Sequence, residues 1–145
     1  MKRTRWLLHG DIDIDCSASR LPYEWVIRQR GNNAVGRYGM GVARGWLSSM
    51  GMQLDRHYAF ITNGVRPSPP DFFDHSTGIP YEVKTGRHSL NNRSMGQITA
   101  YEHAIKTRQA TLVAYLNVAF EGRMGLAPRY REELVKRGFR LLILR

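Results

Sequence analysis

Two hydrophobic periods, helical and alternating, succeed one another along this chain, and the switches between them mark its elements. Val35, Tyr38, Val42, Trp46 and Met50 recur at three- and four-residue steps, which predicts a helix over residues 34–50 with one apolar face. Gly51 follows as its stop. Gly36, Gly39, Gly41 and Gly45 fall within the same stretch. Each costs about 1 kcal/mol relative to alanine in a helix interior, so their number predicts close approach of another backbone or of a ligand. Residues 57–62 read as a strand, and residues 63–70 as a loop, because Gly64, Pro67, Pro69 and Pro70 forbid regular structure there. Residues 71–74 and 81–84 are two short strands, and Ser76-Thr77-Gly78 turns the chain between them into a hairpin.

Residues 92–108 return to a helical period, with Ile98, Tyr101 and Ile105 on one stripe. Residues 110–120 contain the apolar run Leu112-Val113-Ala114-Tyr115-Leu116, a buried strand. Residues 128–137 form a helix with Gly138 as its C-cap, and residues 139–144 a last strand. The first 33 residues carry a weaker pattern. Trp6-Leu7-Leu8 reads as a short strand, and residues 22–27 as a helix. Ile12 and Ile14 alternate with Asp11, Asp13 and Asp15 as a strand edge or a loop. The resulting order, α-β-β-β-α-β-α-β, predicts an α/β fold with a mixed central sheet flanked by helices. One domain is expected over residues 1–145, with 1–33 an N-terminal extension and 34–145 the core.

Charge changes the picture of what this fold meets. The chain has 22 Lys+Arg against 12 Asp+Glu, a formal net charge of +10. A basic domain of this size binds a polyanion or pairs with an acidic protein. Between Ser17 and Pro70 there are seven arginines against Glu24 and Asp55, and no acid lies between Lys84 and Tyr101. Arginine suits bidentate phosphate contact. The single cysteine, Cys16, excludes an internal disulfide and a thiolate zinc site. No run of 18 apolar residues exists, so no membrane span is expected. The basic N-terminus lacks an apolar segment behind it, so no signal peptide is expected either.

The chemistry concentrates around the hairpin. Asp71 and Glu82 fall on its two strands, and Glu82 and Lys84, two apart, share one face. Two carboxylates and an ammonium therefore converge at one end of a sheet. Such a pair suits Mg²⁺ or Mn²⁺, hard cations that keep several waters for substrate phosphates. The lysine is placed to orient an attacking water and to offset charge on a transferring phosphoryl group. Gln97 and Tyr101, four apart, lie on one face of the following helix. His9, His57, His75, His88 and His103 show no zinc spacing, and His88 reads as an ordinary surface histidine ahead of a phosphate contact.

Pro70-Asp71, separated by ten residues from Glu82-Val83-Lys84, resembles the PD-(D/E)xK phosphodiesterase superfamily. Glu82-Val83-Lys84-Thr85-Gly86 with Gln97-Ile98-Thr99-Ala100-Tyr101 is similar to the RecB-type branch, in which a (D/E)xKTG strand precedes a QxxxY helix. The resemblance spans residues 34–145 and implies a restriction-endonuclease-like core, a metal site at Asp71 and Glu82, and catalytic roles for Asp71, Glu82, Lys84 and Gln97. Independently of it, the acid-free basic stretch after the motif predicts nucleic-acid contacts at Arg87 and Arg93, with Tyr101 facing the same edge. The resemblance also implies a further acid from the helix before the first core strand. Residues 34–50 contain no Asp or Glu, so Glu24 is the nearest replacement, with Asp55 just past the helix.

Small size, basicity and the tail from Gln97 to Leu144 further resemble C-terminal nuclease toxin modules of the contact-dependent-inhibition and Rhs types. That likeness implies an acidic immunity protein as partner, and action in the cytoplasm, of the cell itself or of a target cell. The expected activity is metal-dependent hydrolysis of nucleic-acid phosphodiesters, DNA ahead of tRNA. The alternative is a non-catalytic nucleic-acid-binding domain on the same fold.

Overall fold

The fold is given by a computed structural model that describes residues 12–14, 32–55 and 69–144. The elements in chain order are β1 (Ile12–Ile14), α1 (Asn32–Ser49), β2 (Leu54–Asp55), β3 (Phe72–Asp74), β4 (Ile79–Thr85) and β5 (Arg87–His88). There follow α2 (Asn92–Lys106), β6 (Ala114–Val118), β7 (Gly125–Leu126), α3 (Pro128–Lys136) and β8 (Arg140–Leu144). Among the described residues, six strands form one sheet in the order β1-β8-β6-β4-β3-β2. β4, β6, β8 and β1 run parallel, while β3 and β2 add antiparallel at one edge. The protein is thus an α/β fold with a mixed central sheet flanked by helices. The predicted strands at 6–8 and 57–62 and the helix at 22–27 lie outside the described residues, as does Glu24.

Each element forms for a local reason. The α1 stripe buries Tyr38, Val42 and Trp46 as its spacing predicts, and adds Ala43 and Leu47. Gly51, at φ +75°, then releases the chain from the helix. Asn91 opens α2 with a capping box: its side chain accepts from the Ser94 amide while Ser94 Oγ accepts from the Asn91 amide. In the β3–β4 hairpin Phe72 faces Tyr81 and Asp74 faces Ile79. The buried Asp74 carboxylate organises the turn, accepting from the Gln53 amide at 2.9 Å and from Ser76 Oγ and Thr77 Oγ1. Gly78 supplies the positive φ, +73°.

Alternation along the strands divides the core into two layers. Tyr81, Ala114, Leu116, Leu142 and Leu144 point to the face that α1 covers. Val113, Tyr115 and Leu141 point to the other, packed under Ile98 and Tyr101 of α2 and Tyr130 and Leu134 of α3. At Gly39 the helix meets the end of β4 so closely that a Cβ there would sit 1.7 Å from Thr85 Oγ1. Of the glycines that predicted a close approach, this one makes it with strand β4. A second, two-stranded sheet of β5 and β7 pairs Arg87 with Gly125 and His88 with Leu126. Among the described residues no helix is long and apolar enough to cross a membrane.

Candidate active site

The C-terminal end of β4 is where the predicted residues gather. Ligands of open α/β sheets favour the carboxyl ends of parallel strands, and β4 pairs in parallel with β6 there. Val83 belongs to the α1 layer, so Glu82 and Lys84 face α2 by alternation. Asp71 lies just before β3 and accepts from the Val83 amide at 2.7 Å. That bond fixes one carboxylate against the strand carrying the other. Lys84 Nζ donates to Gln97 Oε1 at 3.1 Å, joining β4 to α2. Asp71, Glu82, Lys84 and Gln97 together line a hollow of about 370 Å³.

Glu82 is only 4% exposed. Burial pushes its carboxyl up to about 8, and the neighbouring Asp71 charge adds to this, while Lys84 and a hydrogen bond from Tyr101 pull the other way. Two acids held this close favour either a shared proton or a bound cation. Asp71 and Glu82 fit a hard divalent cation such as Mg²⁺, whose remaining positions would go to water and phosphate. Among the described residues no group of three or more His, Cys, Asp or Glu side chains converges as a metal site. Asp55 instead meets His75 at 3.1 Å, and Asp74 lies at the turn end of the hairpin. α1 contributes no acid.

No protein-family model, curated protein or solved structure matches this chain.

Tyr101 departs from its expected role. It is fully buried, and its phenol donates to Glu82 Oε2 at 2.7 Å. It cannot touch nucleic acid from there; it holds the carboxylate from below. Burial first, then the Glu82 charge, raises its phenol well above the usual range, so it stays a donor. Tyr101, Tyr115 and Tyr130 continue beneath the site as an edge-to-face series with ring centroids 6.1 Å apart. Arg87 and Arg93 are both exposed, but they line different hollows, Arg93 the one beside Glu82 and Arg87 a larger one on the α1 side.

Two residues gain roles that sequence reasoning did not assign. His88 is half-buried and lines both hollows. Its Nε2 lies 2.9 Å from the Thr85 carbonyl, which can only accept, so the proton sits on Nε2. Desolvation lowers its pKa, which leaves Nδ1 a lone-pair acceptor at neutral pH. Asn117 is fully buried in β6. Its amide nitrogen donates to the Lys84 and Gly86 carbonyls, each at 2.8 Å, and its oxygen accepts from the Gly125 amide. It thereby fixes the strand end bearing Lys84 and ties β7 to it. A lone amide in the apolar run from Leu112 to Val118 was its only signal in the sequence.

Proposed function

We propose that this chain is a metal-dependent nuclease of PD-(D/E)xK type, hydrolysing phosphodiester bonds of nucleic acid with DNA ahead of tRNA. The observation that carries the reading is the Asp71–Glu82 carboxylate pair beside a Gln97-held lysine, at the open end of β4. Asp71 and Glu82 would hold Mg²⁺ or Mn²⁺. Bound there, the cation supplies a Lewis acid for a phosphoryl oxygen and lowers the pKa of water. Asp71 is set by the Val83 amide and Glu82 by the Tyr101 phenol. Lys84 keeps its ammonium at the mouth of the site, where it offsets charge growing on the phosphoryl oxygens. Gln97 fixes the direction of that ammonium through Oε1, leaving its amide nitrogen for a water or a phosphate oxygen. Arg87 and Arg93 supply sequence-independent phosphate contacts. In the toxin-module setting, the basic surface would be the face that an acidic immunity protein covers.

Only two carboxylates converge among the described residues, and that favours one second reading: a nucleic-acid-binding domain with an incomplete metal site. Incubation with plasmid and with total tRNA, in Mg²⁺ and in EDTA, separates the two. Cleavage should require the cation, and Asp71→Ala, Glu82→Ala and Lys84→Ala should each lower it by about 100-fold or more. Full activity in EDTA would sink the metal-dependent reading. Retained binding with no cleavage under any condition would establish the binder.

A further inference from the structure

Whether a strand must present an end to this site depends on what flanks it. On the α2 face lies the hollow of about 370 Å³ that Glu82, Arg93 and Gln97 line. On the α1 face lies a larger one of about 880 Å³, lined by Gly36, Arg37, Met40, Thr85 and Arg87 among others. Asp71, Val83, Lys84 and His88 border both. The reactive groups therefore form a saddle over the end of β4, with open space on either side of the sheet.

Both sides suit a polyanion. Arg37, Lys84 and Arg87 line the larger hollow against one described carboxylate, Asp71. The smaller sets Lys84 and Arg93 against Asp71 and Glu82, the pair proposed to carry a divalent cation. The wall on α1 is also cut back. A Cβ built at Gly36 meets nothing within 4 Å among the described residues. No described residue requires glycine at this helical position, and helix propensity opposes it; its effect is to widen the hollow.

Resting on the nuclease reading, we propose that the two hollows are halves of one groove, threaded by a polynucleotide strand with nucleotides on both sides of the scissile phosphate, so that cutting is internal and needs no free end. The test compares covalently closed circular single-stranded DNA and circular RNA with linear strands of the same sequences, in Mg²⁺. Circles of the preferred nucleic acid should open and fragment at rates comparable to their linear forms. Linear strands trimmed while circles stay intact would overturn the groove and leave the nuclease reading standing. No cleavage of either form of either nucleic acid would overturn the groove, and only if plasmid and tRNA are also left uncut would the nuclease reading fall with it. Gly36→Phe should fill the α1 side, raising KM for the circle by about tenfold with the thermal midpoint held or raised. Arg37→Glu on the same wall should raise KM in the same direction, which covers the case in which the phenylalanine variant folds poorly. Unchanged KM in both would overturn the use of that side.

Discussion

Glu82 is the residue whose environment makes the sharpest demand. Without a cation, burial first and the Asp71 charge second push its carboxyl up from 4.5 to about 8, against the opposing pull of Lys84 and the Tyr101 hydrogen bond. The folded chain therefore holds more protons than the unfolded chain between these values, and stability falls as pH rises through that window. Glu82→Gln keeps the proton-like amide, so in chelator it should melt higher than the native chain at pH 8 and level with it at pH 4. Mg²⁺ should raise the native midpoint at pH 8 and leave that of the glutamine variant unmoved. A glutamine variant that melts lower at pH 8 would show the carboxylate to be structural. Tyr101→Phe is the companion test. It keeps the ring in its packing and removes the hydrogen bond to Glu82, at a cost of about 1 kcal/mol in stability. Turnover should fall while the salt dependence of binding stays the same, because the phenol lies out of reach of any phosphate.

At the scale of elements, legibility followed length. α1 and α2 extend over several turns, so an apolar stripe could declare itself; α3 was marked by Pro128 and Gly138 at its ends, and the β3–β4 hairpin by Ser76-Thr77-Gly78. β2, β5 and β7 are two residues each, too short to carry a period, and their existence depends on partners distant in sequence. The same distinction runs through the site. Asp71, Glu82 and Lys84 were visible because the hairpin and the strand period set them on adjacent strands, and Gln97 because its spacing from Tyr101 resembles the QxxxY helix of the RecB-type branch. The phenol of Tyr101 was misassigned because only the packing of α2 on the sheet reveals that its partner is Glu82. The glycines of α1 gave a signal that could not be resolved by sequence. Gly39 answers to packing against Thr85, whereas a Cβ at Gly36 meets nothing within 4 Å among the described residues. Gly39→Ala should cost about 1–3 kcal/mol through overpacking, despite its better helix propensity. Thr85→Ala should recover much of that loss, a coupling that a double-mutant cycle in urea would register.

For the whole molecule, the excess of ten positive charges acts through where the arginines stand. Arg87 and Arg93 lie at separate hollows, so their contributions to binding should be close to additive. Each alanine substitution should reduce the slope of log affinity against log salt by about 1 on duplex DNA, across all sequences. Gln97→Ala should lower turnover and leave that slope in place. Binding titrations at several salt concentrations, with the cation withheld, would distinguish them. Slopes that do not move in either arginine variant would exclude these hollows as the phosphate track.

Asn117 has a consequence for how the chain finds its fold. Parallel strands β4 and β6 could in principle slide past one another by two residues and still keep apolar side chains on the correct faces. The Asn117 amide opposes that. Its two N–H groups and its oxygen are matched to two carbonyls and one amide at fixed positions on the neighbouring segments. A slipped pairing would leave these groups buried without partners, at about 1–3 kcal/mol apiece. A single polar residue in the sheet interior thus specifies which alignment of two apolar strands is native, and with it how far the end of β4 that carries Glu82 and Lys84 stands along β6.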